Sequence, residues 1–181
     1  MDVKTCIQNR RSVRRFQDLP VDRAVISDVV RLAQMAPSWK NSQTVRYIWI
    51  DNADLKARIA EEAVLGFAKN KDNLLSAPGM MVVTTVHGVS GFGEDGTPST
   101  AKGDHWESFD AGLSVQTLCL ALHQAGLGSV IMGLFDPDQV AALAGVPDGE
   151  IVSCILAVGY PVEGPHGRAV RKPLDDVLSF R

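Results

Sequence analysis

Long apolar runs are missing from this sequence. No stretch approaches the roughly twenty apolar residues that a membrane-crossing helix needs, which excludes a helical span. Cysteine is scarce: Cys6, Cys119 and Cys154 are odd in number and far apart. They form no CxxC pair and no Cys/His spacing of a zinc or iron–sulfur site, and are expected to be small core residues in a reducing compartment. The four histidines, His87, His105, His123 and His166, are scattered without metal-ligand spacing. No GxSxG elbow marks a serine nucleophile. A basic surplus is also lacking. Eighteen Lys and Arg stand against 21 Asp and Glu, a formal net charge of −3, which argues against non-specific nucleic-acid binding. Repeats, heptads and low-complexity tracts are absent. The opening Met1-Asp2-Val3-Lys4 has no apolar core of a secretory leader, so a cytoplasmic protein is expected.

What is present is an ordinary globular composition: 181 residues, 45% hydrophobic and 22% charged, enough to bury one sizeable core. A single domain over residues 1–181 is expected. Helical periodicity predicts helices over residues 2–9, 25–35, 54–68, 109–125 and 136–144, with Asp22 and Asp136 as caps and Pro137 at a first helical position. Residues 70–76 read as a helix or turn. Strands are expected over residues 45–50, 80–86, 129–132 and 151–158, the second and last being near-continuous apolar runs of the buried kind. The helix of residues 109–125 is apolar on most sides and is expected to be central. Residues 88–104, rich in glycine, read as a loop or flexible lid, and a last short helix starts at Pro173. This order of elements predicts an α+β fold with helices packed on one sheet.

The positive charge that exists is concentrated. Arg10-Arg11-Ser12-Val13-Arg14-Arg15-Phe16 places four arginines and a serine within six residues of an acidic protein. Guanidinium groups hold phosphate oxygens in a bidentate fork, and a serine hydroxyl adds a donor, so this stretch is a candidate grip for a phosphorylated cofactor. One apparent nucleotide motif is a decoy. Gly91-Phe92-Gly93-Glu94-Asp95-Gly96 matches GxGxxG, but the true fingerprint must open a helix. Thr97-Pro98-Ser99-Thr100 is a poor helix start, and two carboxylates inside the loop repel phosphate.

Four segments in order resemble the nitroreductase family of FMN-dependent oxidoreductases. They are the arginine run; Ala36-Pro37-Ser38-Trp39-Lys40-Asn41-Ser42-Gln43; Gly126-Leu127-Gly128-Ser129 through Met132-Gly133; and Gly159-Tyr160-Pro161 followed by Arg171-Lys172-Pro173-Leu174-Asp175-Asp176-Val177. The resemblance implies a nitroreductase-like α+β fold: a central mixed, mostly antiparallel sheet flanked by helices, in an intertwined homodimer with FMN at the interface. It implies that Arg10, Arg11, Ser12 and Arg14 hold the phosphate and ribityl side, with Arg171 reaching the same phosphate from the tail. Asn70 matches an asparagine that contacts the flavin ring edge. Pro37, Ser38, Trp39 and Asn41 approach from the partner subunit, and the peptide groups of Met132 and Gly133 face the ring. It implies hydride transfer from NADH or NADPH to the flavin, then reduction of a nitroaromatic or quinone-like acceptor, with no catalytic side chain. The same scaffold also implies alternatives: an enone reductase, a dehalogenase, a flavin-destroying synthase or a non-catalytic flavin-binding dimer. Four positions depart from the family pattern. Met132 stands where some members carry an acid, and Asn73 replaces a lysine. Trp39 and Lys40 replace small residues, Trp39 to stack beside or narrow the substrate slot and Lys40 to attract a phosphate of the reductant.

Overall fold

The structure is a computed structural model describing residues 1–66, 68–164, 167 and 169–181. Short polar side chains start four of the helices, Asp22 and Asp136 among them as the sequence predicts, each accepting a hydrogen bond from a first-turn N–H. Asp2 accepts from Thr5 to start α1 (Val3–Asn9), and Asp22 from Ala24 to start α2 (Arg23–Ala33). Asn52 accepts from Leu55 to start α3 (Ala53–Glu62), and Asp136 accepts from Asp138 and Gln139 ahead of Pro137 in α6 (Pro137–Ala144). The expected helix of residues 54–68 ends early, at Glu62, and the helix or turn expected over residues 70–76 is α4 (Ala68–Ser76). Between them Val64 forms a β-bridge to Phe135, and the Asp136 N–H reaches the Ala63 carbonyl at 2.8 Å. A long-range pairing therefore ends a helix that local periodicity would have continued. Helix α5 (His105–Gln124) begins four residues ahead of its expected start.

Four strands, β1 (Val45–Ile50), β2 (Gly79–Val86), β3 (Gly128–Met132) and β4 (Glu150–Gly159), form one sheet in the order β1-β2-β4-β3, each pair antiparallel. The only parallel pairing among the described residues is a bridge from Ser12 to Ser129. Alternation along β2 separates two cores. Met80 and Val82 face Ile59, Leu74, Phe135 and Val140 from α3, α4, α6 and the chain before α6. Met81 and Val83 face Ile26, Val29, Leu118 and Leu122 from α2 and α5. Helices thus cover both faces, and the inner strand β2 is buried from Gly79 to Thr85, in keeping with its apolar run, while the other inner strand, β4, is fully buried only in its second half. Cys6 and Cys119 are buried and Cys154 half-buried, all with free thiols. Burial pushes the Cys154 thiol up to about 12.

The arginine run is not a helix but an extended arm strapped across the sheet's end. The Val13 N–H donates to the Ser129 carbonyl at 3.0 Å, the Gln17 N–H to Tyr160 at 2.8 Å, and the Val162 N–H to Arg15 at 3.2 Å. Two glycines from the sequence motifs permit this approach. A Cβ on Gly128 would lie 2.6 Å from a Val13 methyl, and one on Gly159 would lie 2.4 Å from the Pro78 ring and 3.1 Å from Phe16. Neither neighbour is the free end of a flexible side chain. Gly159→Ala is expected to destabilise the fold by about 1–3 kcal/mol, the range for overpacking a filled core. Urea denaturation against wild type checks this, with an unchanged midpoint contradicting it.

Candidate functional site

Strapping the arm by its backbone leaves its arginine side chains for other work. Arg10 ends α1 and is half-buried, whereas Ser12 and Arg14 are exposed. Arg11 donates Nη1 to the carbonyls of Gln8 and Arg10, at 2.6 and 2.7 Å, so part of its guanidinium closes the helix end. Arg171 from the exposed tail donates to the Ala169 carbonyl at 3.1 Å. Arg10, Arg11 and Arg171 line one cavity of about 230 Å³, closed by Ile7, Gln8 and Ala169. Arginines from the two ends of the chain therefore meet. Arg14 does not line this cavity; its Nη1 lies 3.5 Å from the Ser12 carbonyl. Among the described residues none of these four arginines pairs with a carboxylate. Clustered cations without counter-ions, in a protein of net charge −3, fit a dianionic phosphate.

Behind the arm, Arg10 and Arg11 border a second cavity of about 280 Å³ with Cys119, His123, Gly128 and Ser129. The buried Nε2 of His123 has no hydrogen-bond partner among the described residues. His123 lies more than a hundred positions from the arginine run, and only the fold brings it beside the arginines. Burial first, then the charges of Arg10 and Arg11, hold its pKa below the ordinary value. The folded chain then resists a proton that the unfolded chain accepts, so His123 takes stability away as pH falls through about 6.5. His123→Gln is expected to reduce the loss of stability between pH 7 and pH 5, measured by urea titration at both. An unchanged pH slope contradicts this.

The loop over residues 36–43 is the second predicted segment. Lys40, Asn41 and Gln43 have φ of 46°, 57° and 50°, a left-handed geometry that costs about 1 kcal/mol or more for each non-glycine residue. Two contacts hold it. The Gln43 N–H donates to Ser38 Oγ at 2.9 Å, and the Trp39 N–H donates to Asp110 Oδ2 at 2.9 Å. The same oxygen of Asp110 accepts the Ser90 hydroxyl at 2.7 Å, and Asp110 is 2% exposed. One turn earlier in α5, buried Glu107 accepts the Gly88 N–H at 2.7 Å and contacts His87 Nδ1 at 3.2 Å. Two inward carboxylates thus tie the chain entering the expected lid to α5. Residues 88–104 form a loop with no helix or strand, as expected, and its first residues are tied down through Gly88 and Ser90. Neither carboxylate was visible as functional in the sequence, since their partners lie 19 to 71 positions away.

Pro37 and Ser38 line a cavity of about 300 Å³ with Gln43, Arg46, Asp110 and Ser114. The Tyr47 hydroxyl hydrogen-bonds Ser114 in the same region, and burial raises its pKa. This cavity shares no lining residue with the arginine cavities. Trp39 and exposed Asn41 belong to the same loop. Asn70 is half-buried on α4. The Met132 side chain is core, 3% exposed, and Gly133 is exposed just past β3. Within one chain, the predicted residues therefore gather in separate groups. Among the described residues no cluster of His, Cys, Asp and Glu is placed to hold a metal, and no helix is long and apolar enough to cross a membrane. Pro165, His166 and Arg168 of the expected tail loop lie outside the described residues.

A strapped arginine arm, an antiparallel sheet covered on both faces and a pinned Ser-Trp loop define an α+β protein of the nitroreductase fold. The family model described as "Nitroreductase family" matches residues 7–78 and 67–160, and the chain belongs to that family. It is similar to an NADH dehydrogenase from Thermus thermophilus, 29% identical with 100% of this chain and 97% of that one covered. It is also similar to an iodotyrosine deiodinase from Nematostella vectensis, 25% identical over 97% of this chain and 73% of the relative. An Exiguobacterium sibiricum protein solved in complex with FMN superposes with a TM-score of 0.83 at 20% identity, covering 100% and 98% of the two chains.

Proposed function

We propose that this chain is an FMN-dependent oxidoreductase that takes hydride from NADH or NADPH and reduces nitroaromatic or quinone-like acceptors in a ping-pong cycle. The observation that carries the reading is the cavity where Arg10, Arg11 and Arg171 converge without a carboxylate. FMN held there would supply two-electron redox chemistry. The protein's part is to bind and orient. Arg10, Arg11 and Arg171 neutralise the phosphate, with Ser12 and Arg14 beside them along the arm. Asn70 and the peptide groups of Met132 and Gly133 serve the ring. No side-chain acid or base is assigned.

We place the second half of each site on a partner subunit. Pro37, Ser38, Trp39 and Asn41 stand apart from the arginine cavity in one chain, which supports a site completed by a second copy. Exposed apolar side chains support the same homodimer. Ile131 and Ile151 are 49% and 45% exposed beside a cavity of about 390 Å³ lined by Ala111, Gly112, Val115 and Cys154. Phe180, on the tail that carries Arg171, is 86% exposed. The protein is read as cytoplasmic, where free thiols persist.

An anaerobic titration with each nicotinamide tests the activity. The flavin absorbance band is expected to bleach and to return when a nitroaromatic or quinone is added. Yellow protein that does not bleach contradicts the oxidoreductase and favours a flavin-binding dimer. The iodotyrosine deiodinase relative favours reductive dehalogenation as the second reading, and bleached protein reoxidised by a halophenol but not by a quinone would select it.

A further inference from the structure

One aromatic cluster lies outside the phosphate grip. Trp39 and Trp106 stand with ring centroids 4.7 Å apart at 48°, and Phe109 meets Trp106 edge-on at 5.3 Å. Two ammonium groups flank them. Lys102 Nζ lies 4.4 Å from the Trp106 centroid and 4.9 Å from Phe109, and Lys40 Nζ lies 5.7 Å from Trp39. Among the described residues neither lysine pairs with a carboxylate, although Glu94, Asp95 and Asp104 share the neighbouring loop. Asp95 instead accepts the Thr97 N–H and hydroxyl, and Glu107 and Asp110 are turned inward. The cluster is rigidly supported. Trp39 is tied to Asp110, Trp106 Nε1 donates to Thr100 at 3.0 Å, and Gly91 presses so close that a Cβ there would lie 2.9 Å from the Trp106 ring. The strained Lys40 is held by the same loop. The Trp39 Nε1 is buried without a partner.

We propose that this wall selects an acceptor that is both aromatic and anionic. Its ring stacks on Trp39, Trp106 and Phe109, and its carboxylate, sulfonate or phenolate pairs with Lys102 and Lys40. Pre-organised aromatic faces provide area at little conformational cost, and unpaired ammonium groups beside them give the charge preference. This rests on the oxidoreductase reading and narrows its substrate class.

The test compares 4-nitrobenzoate with 4-nitrobenzamide, ligands of matched shape and different charge, on the intact purified protein. Calorimetry gives each Kd at low salt, and quenching of tryptophan emission reports ring contact. 4-Nitrobenzoate is expected to bind about tenfold more tightly, a preference that shrinks in high salt. In the double variant Lys40→Met/Lys102→Met the two affinities are expected to converge to within about twofold. Equal affinities in wild type overturn the proposal. So does a preference surviving in the double variant, which assigns the anion to another cation such as Arg46, or heat of binding without quenching. NADH and NADPH are titrated in parallel. If the double variant erases a preference for NADPH but keeps that for nitrobenzoate, the lysines serve the reductant's phosphate and the proposal is also overturned. Binding is read without turnover. Protein whose flavin fails to bleach but whose benzoate preference disappears with the lysines contradicts the oxidoreductase, not the anion site.

Discussion

Arg10→Ala combined with Arg171→Ala is expected to yield folded protein that loses FMN on dialysis. Each residue lines the same cavity, and among the described residues neither has a carboxylate partner to leave stranded. A hydrogen bond to a charged group is worth about 1.5–3 kcal/mol, so each single variant should raise the FMN Kd about 10- to 100-fold. The pair sits around one anion, so the effects couple rather than add strictly, and a loss of about a thousandfold or more is expected. Arg14→Ala is the internal comparison. Its side chain is exposed and does not line the cavity, so its effect is expected to be smaller than that of Arg171→Ala. Fluorescence titration of flavin-stripped protein measures all three. Full flavin occupancy in the double variant contradicts the phosphate assignment.

Asp110→Ala is expected to cause the largest loss of stability. The carboxylate is 2% exposed and accepts both the Trp39 N–H and the Ser90 hydroxyl. Truncation leaves two donors unpaired in a poorly solvated place, at about 3 kcal/mol in total. For a domain of this size that lowers Tm by about 6–12 °C. The cost is not confined to the core, because Trp39 anchors a loop with three left-handed non-glycine residues. Without the anchor that strain is released, and the Trp39–Trp106 contact should loosen with it. Asp110→Asn keeps an acceptor oxygen and is expected to lose about a third as much. Thermal unfolding and near-ultraviolet dichroism check both variants, and an Asp110→Ala protein with wild-type Tm would remove Asp110 from this role.

The two variants probe parts of the site that were unequally legible. The arginine run was visible because its composition contrasts with an acidic chain, and its order with three other segments carried the family resemblance. Its extended conformation was not visible. The backbone partners of the arm, Ser129 and Tyr160, lie more than a hundred positions away, and the glycines that admit it acquire meaning only against Val13, Pro78 and Phe16. The early start of α5 was missed for the same reason. Glu107 looks like a surface charge until Gly88 and His87 are found on it. Trp39 was legible as a large residue replacing a small one in its loop, but the Trp106 it packs on, with Phe109 and Lys102 beyond, comes from another part of the chain.

By itself the sequence determined what is local. Caps at Asp22 and Asp136, the buried strand β2, the concentration of cations and the absence of a membrane-spanning run depend on near neighbours and composition alone, whereas β4, also expected to be buried, is exposed at Ile151. Tertiary structure decided where charge and strain are used. Arg171 joins Arg10 at one cavity, Asp110 holds a strained loop, and the Met132 side chain turns into the core. The physical reason is that burial and pairing set the free energy of an ion or a strained residue, and its partners are fixed only when distant segments have packed.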